Sequence, residues 1–289
     1  MTLDAIRTVA VLGAGTMGNG IAHVFARAEY NVILRDVETR FLDSAVETIS
    51  KNLDREVKKG KIPEGDKSRV LGRIYTTTDM SEIARADFAV EAVPERLDLK
   101  LSALREADKL LPSQAILASN TSSISITTLA AATGRPELFV GMHFMNPVPV
   151  MTLIEVIRAL QTSDDTFHTT MALCERLEKK PVAVNDAPGF ISNRVLMPMI
   201  NEAAFAVMEG VATAESVDAI MKMGMNHPMG PLELADLIGL DTCVNILEVL
   251  YTGFGDSKYR ACPLLRKMVA AGWLGRKSGR GFYNYPGQD

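Results

Sequence analysis

The chain has 289 residues, 47% of them hydrophobic and 23% charged, which suits a globular protein of about two domains at ~150 residues each. A net charge of -4 argues against general nucleic-acid binding, and no stretch is apolar for long enough to span a membrane. Cys174, Cys243 and Cys262 are odd in number and far apart, so they form neither a disulfide framework nor a cysteine zinc site, and they suit a reducing, cytoplasmic setting.

The N-terminal residues MTLDAIRT lack the apolar run of a secretory signal. Thr8 to Leu12 is a short apolar run, as expected of a strand buried on both faces. It leads into Gly13-Ala-Gly15-Thr-Met17-Gly18, and a helical pattern with Ile21, Val24 and Phe25 on one side follows. A second strand, Asn31 to Arg35, ends in Asp36, about 20 residues beyond the glycines. Each glycine has its own reason. Gly13 permits the tight turn, Gly15 lets the backbone approach a pyrophosphate, and Gly18 lets the helix pack on the sheet. The helix start offers free N–H groups and a positive dipole end to phosphates. Asp36 is placed to accept hydrogen bonds from the adenosine ribose and to repel a 2′-phosphate, which favours NAD. Arg35 beside it keeps NADP as a minor alternative.

Thr39 to Lys59 is predicted to be one long helix, followed after Gly60 and Pro63 by a short one from about Asp66. Between residues 51 and 69 lie seven cations against four carboxylates, three more cations than carboxylates. By itself such a run reads as a solvated helix face. The functional alternative is a contact surface for an anion other than the dinucleotide.

Further strands are predicted at Ile74–Thr78, Asp87–Val93 and Ala115–Ser119, with a helix at Leu97–Leu111 between the last two. This alternation predicts a Rossmann-like, doubly wound, mainly parallel sheet with a helical-hairpin insertion at about 39–72. Ligands bind outside the carboxyl ends of such strands. Three places qualify: Pro94, Glu95 and Lys100; Asn120, Thr121, Ser122 and Ser123; and His143, which follows a strand ending at Met142. Helix capping competes as the role of Ser122 and Ser123, and one of the two is expected to cap. After His143 come Asn146, Pro147 and Pro149, then a strand from Thr152 that carries Glu155. An imidazole and a carboxylate on two linked strands make either an acid–base pair or an ordinary ion pair.

The alternation stops after Asp186. A dinucleotide-binding domain is therefore expected over residues 1–186, and an all-α domain over 187–289. A helix from Pro188 to Gly210 is expected to bury Ile191, Val195, Leu196, Met199, Ile200 and Ala203. Further helices are expected at Thr213–Met223, Leu232–Ile238, Thr242–Tyr251 and Pro263–Ala271, with methionines filling core gaps. His23, His168 and His227 read as structural. Lys277, in the Gly-rich basic tail, either folds onto an anion or is exposed.

Taken together, the segments VLGAGTMGNGIA (11–22), ASNTSSISI (118–126), GMHFMNPVPVMTLIEVI (141–157), DAPGFISNRVLMPMINEA (186–203), NHPMGPLELAD (226–236) and GWLGRKSGRGFYNY (272–285) resemble the 3-hydroxyacyl-CoA dehydrogenase family. They occur in family order and cover nearly the whole chain. The glycine turn is shared by many NAD proteins; the combination of SNTSS, HFxNP and PGFxxNR is far more specific. The resemblance implies NAD(H)-dependent interconversion of (S)-3-hydroxybutyryl-CoA and acetoacetyl-CoA by a homodimer joined through the all-α domain. It implies His143 as general acid/base and Glu155 as its orienting partner. It also implies that Ser122 and Asn193 contact the reacting oxygen or the thioester. Gly13, Gly15, Met17, Gly18, Asp36, Glu95, Lys100, Asn120, Ser122, Asn146 and Lys277 fall on the cofactor side. Arg55 and Lys59 are implied to receive the CoA, which turns the reading of the basic hairpin from solvated face to polyanion contact. Arg55 stands where relatives carry lysine, so the charge is kept with a different geometry.

Overall fold

The computed structural model describes residues 2–285. Eight strands form one sheet: β1 (Thr8–Leu12), β2 (Asn31–Arg35), β3 (Ile74–Thr77), β4 (Phe88–Glu91), β5 (Ile116–Ser119), β6 (Phe139–Phe144), β7 (Leu153–Arg158) and β8 (Lys180–Asn185). Their order is β3-β2-β1-β4-β5-β6-β7-β8. Every neighbouring pair is parallel except β6 with β7. This is the expected doubly wound sheet. The order reverses between β1 and β4, which places a crevice at their carboxyl ends.

The strands form where short apolar runs can be covered on both faces. The side chains of Val9, Val11, Val32, Leu34, Phe88 and Val90 are buried, as are Ile21, Val24 and Phe25 on α1 (Thr16–Arg27). Each fully buried Val, Leu, Ile or Phe contributes roughly 1.5–3 kcal/mol. Two helices, α2 (Thr39–Lys58) and α3 (Asp66–Leu71), form the hairpin, and α2 packs Leu42, Ala45, Ile49 and Leu53 inward. Two more helices, α4 (Leu97–Leu110) and α5 (Ile126–Ala131), follow β4 and β5, and α6 (Asp164–Arg176) precedes β8.

By contact, the chain divides into two compact units, Met1–Ala187 and Pro188–Asp289. The second is helical: α7 (Ser192–Met208), α8 (Ala214–Gly224), α9 (Pro231–Ile238), α10 (Leu240–Phe254) and α11 (Pro263–Ala270). Its core is built on Met197, Ile200, Ala204, Leu232, Leu247, Leu250 and Leu265. Asp218 and Asp236 are buried and satisfied. Asp218 accepts Leu232 N, Glu233 N and Tyr283 OH, while Asp236 accepts Phe282 N, Tyr283 N and Tyr285 OH. The C-terminal tail is thereby fastened to its own unit. Among the described residues no helix is long and apolar enough to cross a membrane.

Two expectations about this unit are corrected. α7 starts at Ser192, because Gly189 and Phe190 have positive φ and delay the helix. Of the expected stripe, Ile200 and Ala203 are buried and Leu196 and Met199 half-buried. Ile191 and Val195 are 54% and 66% exposed, and Asn193, Met197 and Asn201 take the inward positions. Nor are the methionines all core fillers: Met197 and Met268 are buried, but Met223 and Met225 are 82% and 62% exposed.

Candidate active site

The glycine turn lies at the carboxyl end of β1. Gly13 has φ +104°, and a Cβ there would lie 2.6 Å from Ala92 O. A Cβ on Gly18 would fall on Gly13 O, so the helix start and the turn can pack only without one. Over Gly15 the space is open: a Cβ there would meet nothing within 4 Å. Gly15 caps α1 without a side-chain hydrogen bond, so the first N–H groups of α1 have no capping side chain competing with an anion. Asp36, just past β2, accepts Ala14 N at 2.6 Å and Val37 N at 2.6 Å, which ties the turn to the next strand end. Met17 is half-buried in the first turn of α1. An open approach over a helix start, with an anchored carboxylate beside it, fits a dinucleotide.

His143 is part of β6 rather than beyond it. The strand continues to Phe144 because β7 pairs with it along that length, His143 opposite Glu155 and Phe144 opposite Ile154. Directly opposed residues of an antiparallel pair share one face. His143 Nδ1 and Glu155 Oε2 are accordingly 2.7 Å apart, with side chains 11% and 3% exposed. A carboxylate on Nδ1 holds the proton there and leaves Nε2 as the atom that takes or gives one. On its other side β6 pairs with β5 only as far as Gly141. Beyond that point a side chain takes over, Phe144 N donating to Asn120 Oδ1 at 2.9 Å. Asn120, expected on the cofactor side, thus binds the backbone next to His143.

Past β6 the chain turns through exposed Asn146 and a cis peptide bond to Pro147. Lys179 Nζ donates to Val148 O (2.6 Å) and Met151 O (2.7 Å), fastening this link.

Ser122 and Ser123 do not cap a helix. The cap of α5 is Ser125, which accepts Thr128 N and itself donates to Asp186. Asp186 also accepts Ile126 N and Thr127 N, so a carboxylate far along the chain serves that helix start. The two serines instead converge on Glu95. Its Oε1 accepts Thr121 Oγ1 (2.6 Å), Ser122 N (2.9 Å), Ser122 Oγ (3.2 Å), Ser123 N (3.0 Å) and Ser123 Oγ (3.0 Å). Burial alone would raise the Glu95 pKa. Lys100 and these donors outweigh it and hold the carboxyl below its usual value.

Lys100 is nearly fully buried. It donates to Glu91 Oε1 at 2.7 Å and Val93 O at 3.0 Å, and stands 3.3 Å from Glu95 Oε2. The sequence reading missed Glu91. It reads as one polar residue in an apolar strand, and only the in-register pairing of Glu91 with Ser119 reveals its partners.

Arg55 and Lys59 stand one turn apart, exposed, near the end of α2, while Glu56 between them faces inward. Arg55 also bonds Asn52 Oδ1 at 3.3 Å. Among the described residues no salt bridge is found for Arg55, Lys58, Lys59 or Lys61, whereas Lys51, Lys67 and Arg69 each pair with a carboxylate. In the second unit Asn193 is buried in the first turn of α7, and Lys277 pairs with Asp241 at 2.6 Å.

The family model for the 3-hydroxyacyl-CoA dehydrogenase NAD binding domain matches residues 8–187, and that for the C-terminal domain of the same family matches residues 189–285. A Bradyrhizobium diazoefficiens protein named 3-hydroxybutyryl-CoA dehydrogenase is 52% identical over 98% of this chain and 96% of its own length. One of the same name from Clostridioides difficile is 47% identical over 96% of this chain and 99% of its own. The crystal structure of (S)-3-hydroxybutyryl-CoA dehydrogenase from Ralstonia eutropha superposes with a TM-score of 0.95 at 51% identity, covering 98% of this chain and all of that one (100%).

Proposed function

We propose, from the premise that this chain belongs to the 3-hydroxyacyl-CoA dehydrogenase family, that it interconverts (S)-3-hydroxybutyryl-CoA and acetoacetyl-CoA with NAD(H). The observation that carries the reading is the 2.7 Å contact of His143 with Glu155, at the same edge of the sheet as the glycine turn. When bound, NADH supplies the hydride to C3 of the thioester. Protonated His143 gives its Nε2 proton to the C3 oxygen as that atom gains negative charge, and in the reverse direction takes it back. Such proton transfer contributes about 10²–10⁴-fold. Glu155 holds the imidazole in one tautomer and stabilises the imidazolium. Ser122, held by Glu95, supports the reacting end. Family resemblance assigns Asn193 to the thioester, Asn146 and Lys277 to the nucleotide, and Arg55 and Lys59 to the CoA phosphates. Asp36 favours NAD, because its carboxylate repels a 2′-phosphate.

Three buried, unbridged cysteines support a reducing, cytoplasmic setting. The exposed Val211, Ile220, Met223 and Met225 support a homodimer through the helical unit.

The test is NADH oxidation by acetoacetyl-CoA. His143→Gln is expected to lose at least about 10²-fold in kcat while NADH still binds. Glu155→Gln is expected to lose activity and to shift the pH profile of turnover. Turnover at the wild-type level in His143→Gln would remove the imidazole from the reaction.

A further inference from the structure

Glu91 is the last residue of β4, and it is a carboxylate with no solvent exposure inside a parallel sheet. A buried charge costs several kcal/mol unless it is paired and hydrogen-bonded. Here the partners are Lys100, Val93 N and Ser119, the last of which leads into the loop after β5. Oε1 accepts Lys100 Nζ and Val93 N, each at 2.7 Å, and Oε2 accepts Ser119 Oγ at 2.5 Å. Ser119 Oγ in turn accepts Thr121 N at 3.2 Å. Glu91 therefore grips the start of the Ser119–Ser123 segment through Ser119, while Glu95 gathers its crest through Thr121, Ser122 and Ser123. The two carboxylates share one ammonium, that of Lys100. Asn120, in the same segment, holds Phe144 N beside His143.

We propose that Glu91 is a positioning residue of the reaction: by holding Lys100 and Ser119 it sets the loop that carries Ser122 and keeps Glu95 on that loop. The inference rests on the dehydrogenase reading, in which Ser122 and Glu95 face the reacting end. Without the Glu91 charge, Glu95 is the one carboxylate left to Lys100 among the described residues, and Lys100 draws it away from the loop donors. Burial raises the pKa of Glu91, against the pull of Lys100, Ser119 and Val93 N. The charged groups that face one another here are therefore Glu91 from β4, Glu95 from the loop and Lys100 from α4.

Glu91→Gln keeps the shape and removes the charge. Steady-state kinetics with NADH and acetoacetyl-CoA are expected to show kcat lower and KM for NADH higher, each by about tenfold or more, with KM for the thioester little changed. Ser119→Ala cuts the Glu91 link to Thr121 without touching a charge, and is expected to lower kcat several-fold with a smaller rise in KM for NADH than Glu91→Gln gives. Wild-type NADH oxidation is the control for the reading beneath: if the wild type fails to turn over the thioester, the dehydrogenase reading fails. Fluorescence titration of NADH still reports on Glu91 in that case, with weaker binding expected in Glu91→Gln. If Glu91→Gln and Ser119→Ala keep wild-type kinetics and NADH affinity, whatever their melting temperatures, Glu91 only stabilises the fold. If Glu91→Gln does not fold, unchanged kinetics in Ser119→Ala overturn the proposal by themselves.

Discussion

His23 sits within α1 with no exposure and with neither ring nitrogen hydrogen-bonded. Burial, with the nearby charges of Arg27 and Lys179, lowers its pKa to about 4. The ring is therefore neutral, and its 3.7 Å approach to Glu56 is not a charged pair; Glu56 has Arg27 at 3.5 Å instead. The unfolded chain takes up a proton on this histidine near its ordinary value of 6.5, whereas the folded chain does so only near 4. The stability His23 contributes is thus complete above pH ~6.5 and is lost as pH falls toward 4, at most about 3 kcal/mol. His23→Leu is expected to flatten that part of the curve of unfolding free energy against pH. The same acid loss in variant and wild type would mean that other groups cause it. At this scale the sequence was readable in its geometry, as at Gly13, where the turn needs a positive φ, and at His143 and Glu155, which the strands bring together. It was mute where a role depends on a partner far along the chain. Glu91 meets Ser119, and Asp186 meets Ser125, only once strands pair.

Elements with one simple environment were legible. The runs of β1 and β2 are apolar because both faces are covered, and their bounds were readable to the residue. Helices that serve two surfaces were not. The sequence pattern of α7 holds at Ile200 and Ala203 and fails in its first turns, where two positive φ angles delay the helix and Ile191 and Val195 are exposed. In α8 Asp218 points inward and caps α9 through Leu232 N and Glu233 N, while Ile220 and Met223, three residues apart, point outward at 58% and 82% exposure. Such an inverted face stays in water only at a cost, and a second copy of the chain covers it in the homodimer proposed above. Sedimentation is expected to give twice the 31.4 kDa chain mass for the wild type and a single chain for Ile220→Asp with Met223→Asp. A wild type that sediments as a single chain at micromolar concentration would dismiss the dimer.

For the whole molecule, strand–helix alternation and its stop after Asp186 made the class of fold readable, since a parallel sheet needs a crossover between strands and a helical unit does not. The order of the last strands was less so. The β6–β7 link, with its two prolines, gives no sign in sequence that the two strands run antiparallel in register. That register makes the His143–Glu155 pair. The central claim is a thioester reaction fed by the cationic hairpin, and it is tested most directly by NADH oxidation with acetoacetyl-CoA against free acetoacetate. The comparison is made in the wild type and in Arg55→Ala with Lys59→Ala. Each charged hydrogen bond to a phosphate is worth about 1.5 kcal/mol or more, roughly tenfold. The account predicts strong preference for the thioester, and in the double variant a KM for the thioester raised about tenfold or more with KM for NADH unchanged. Equal use of acid and thioester, or an equal rise in both constants, would contradict it.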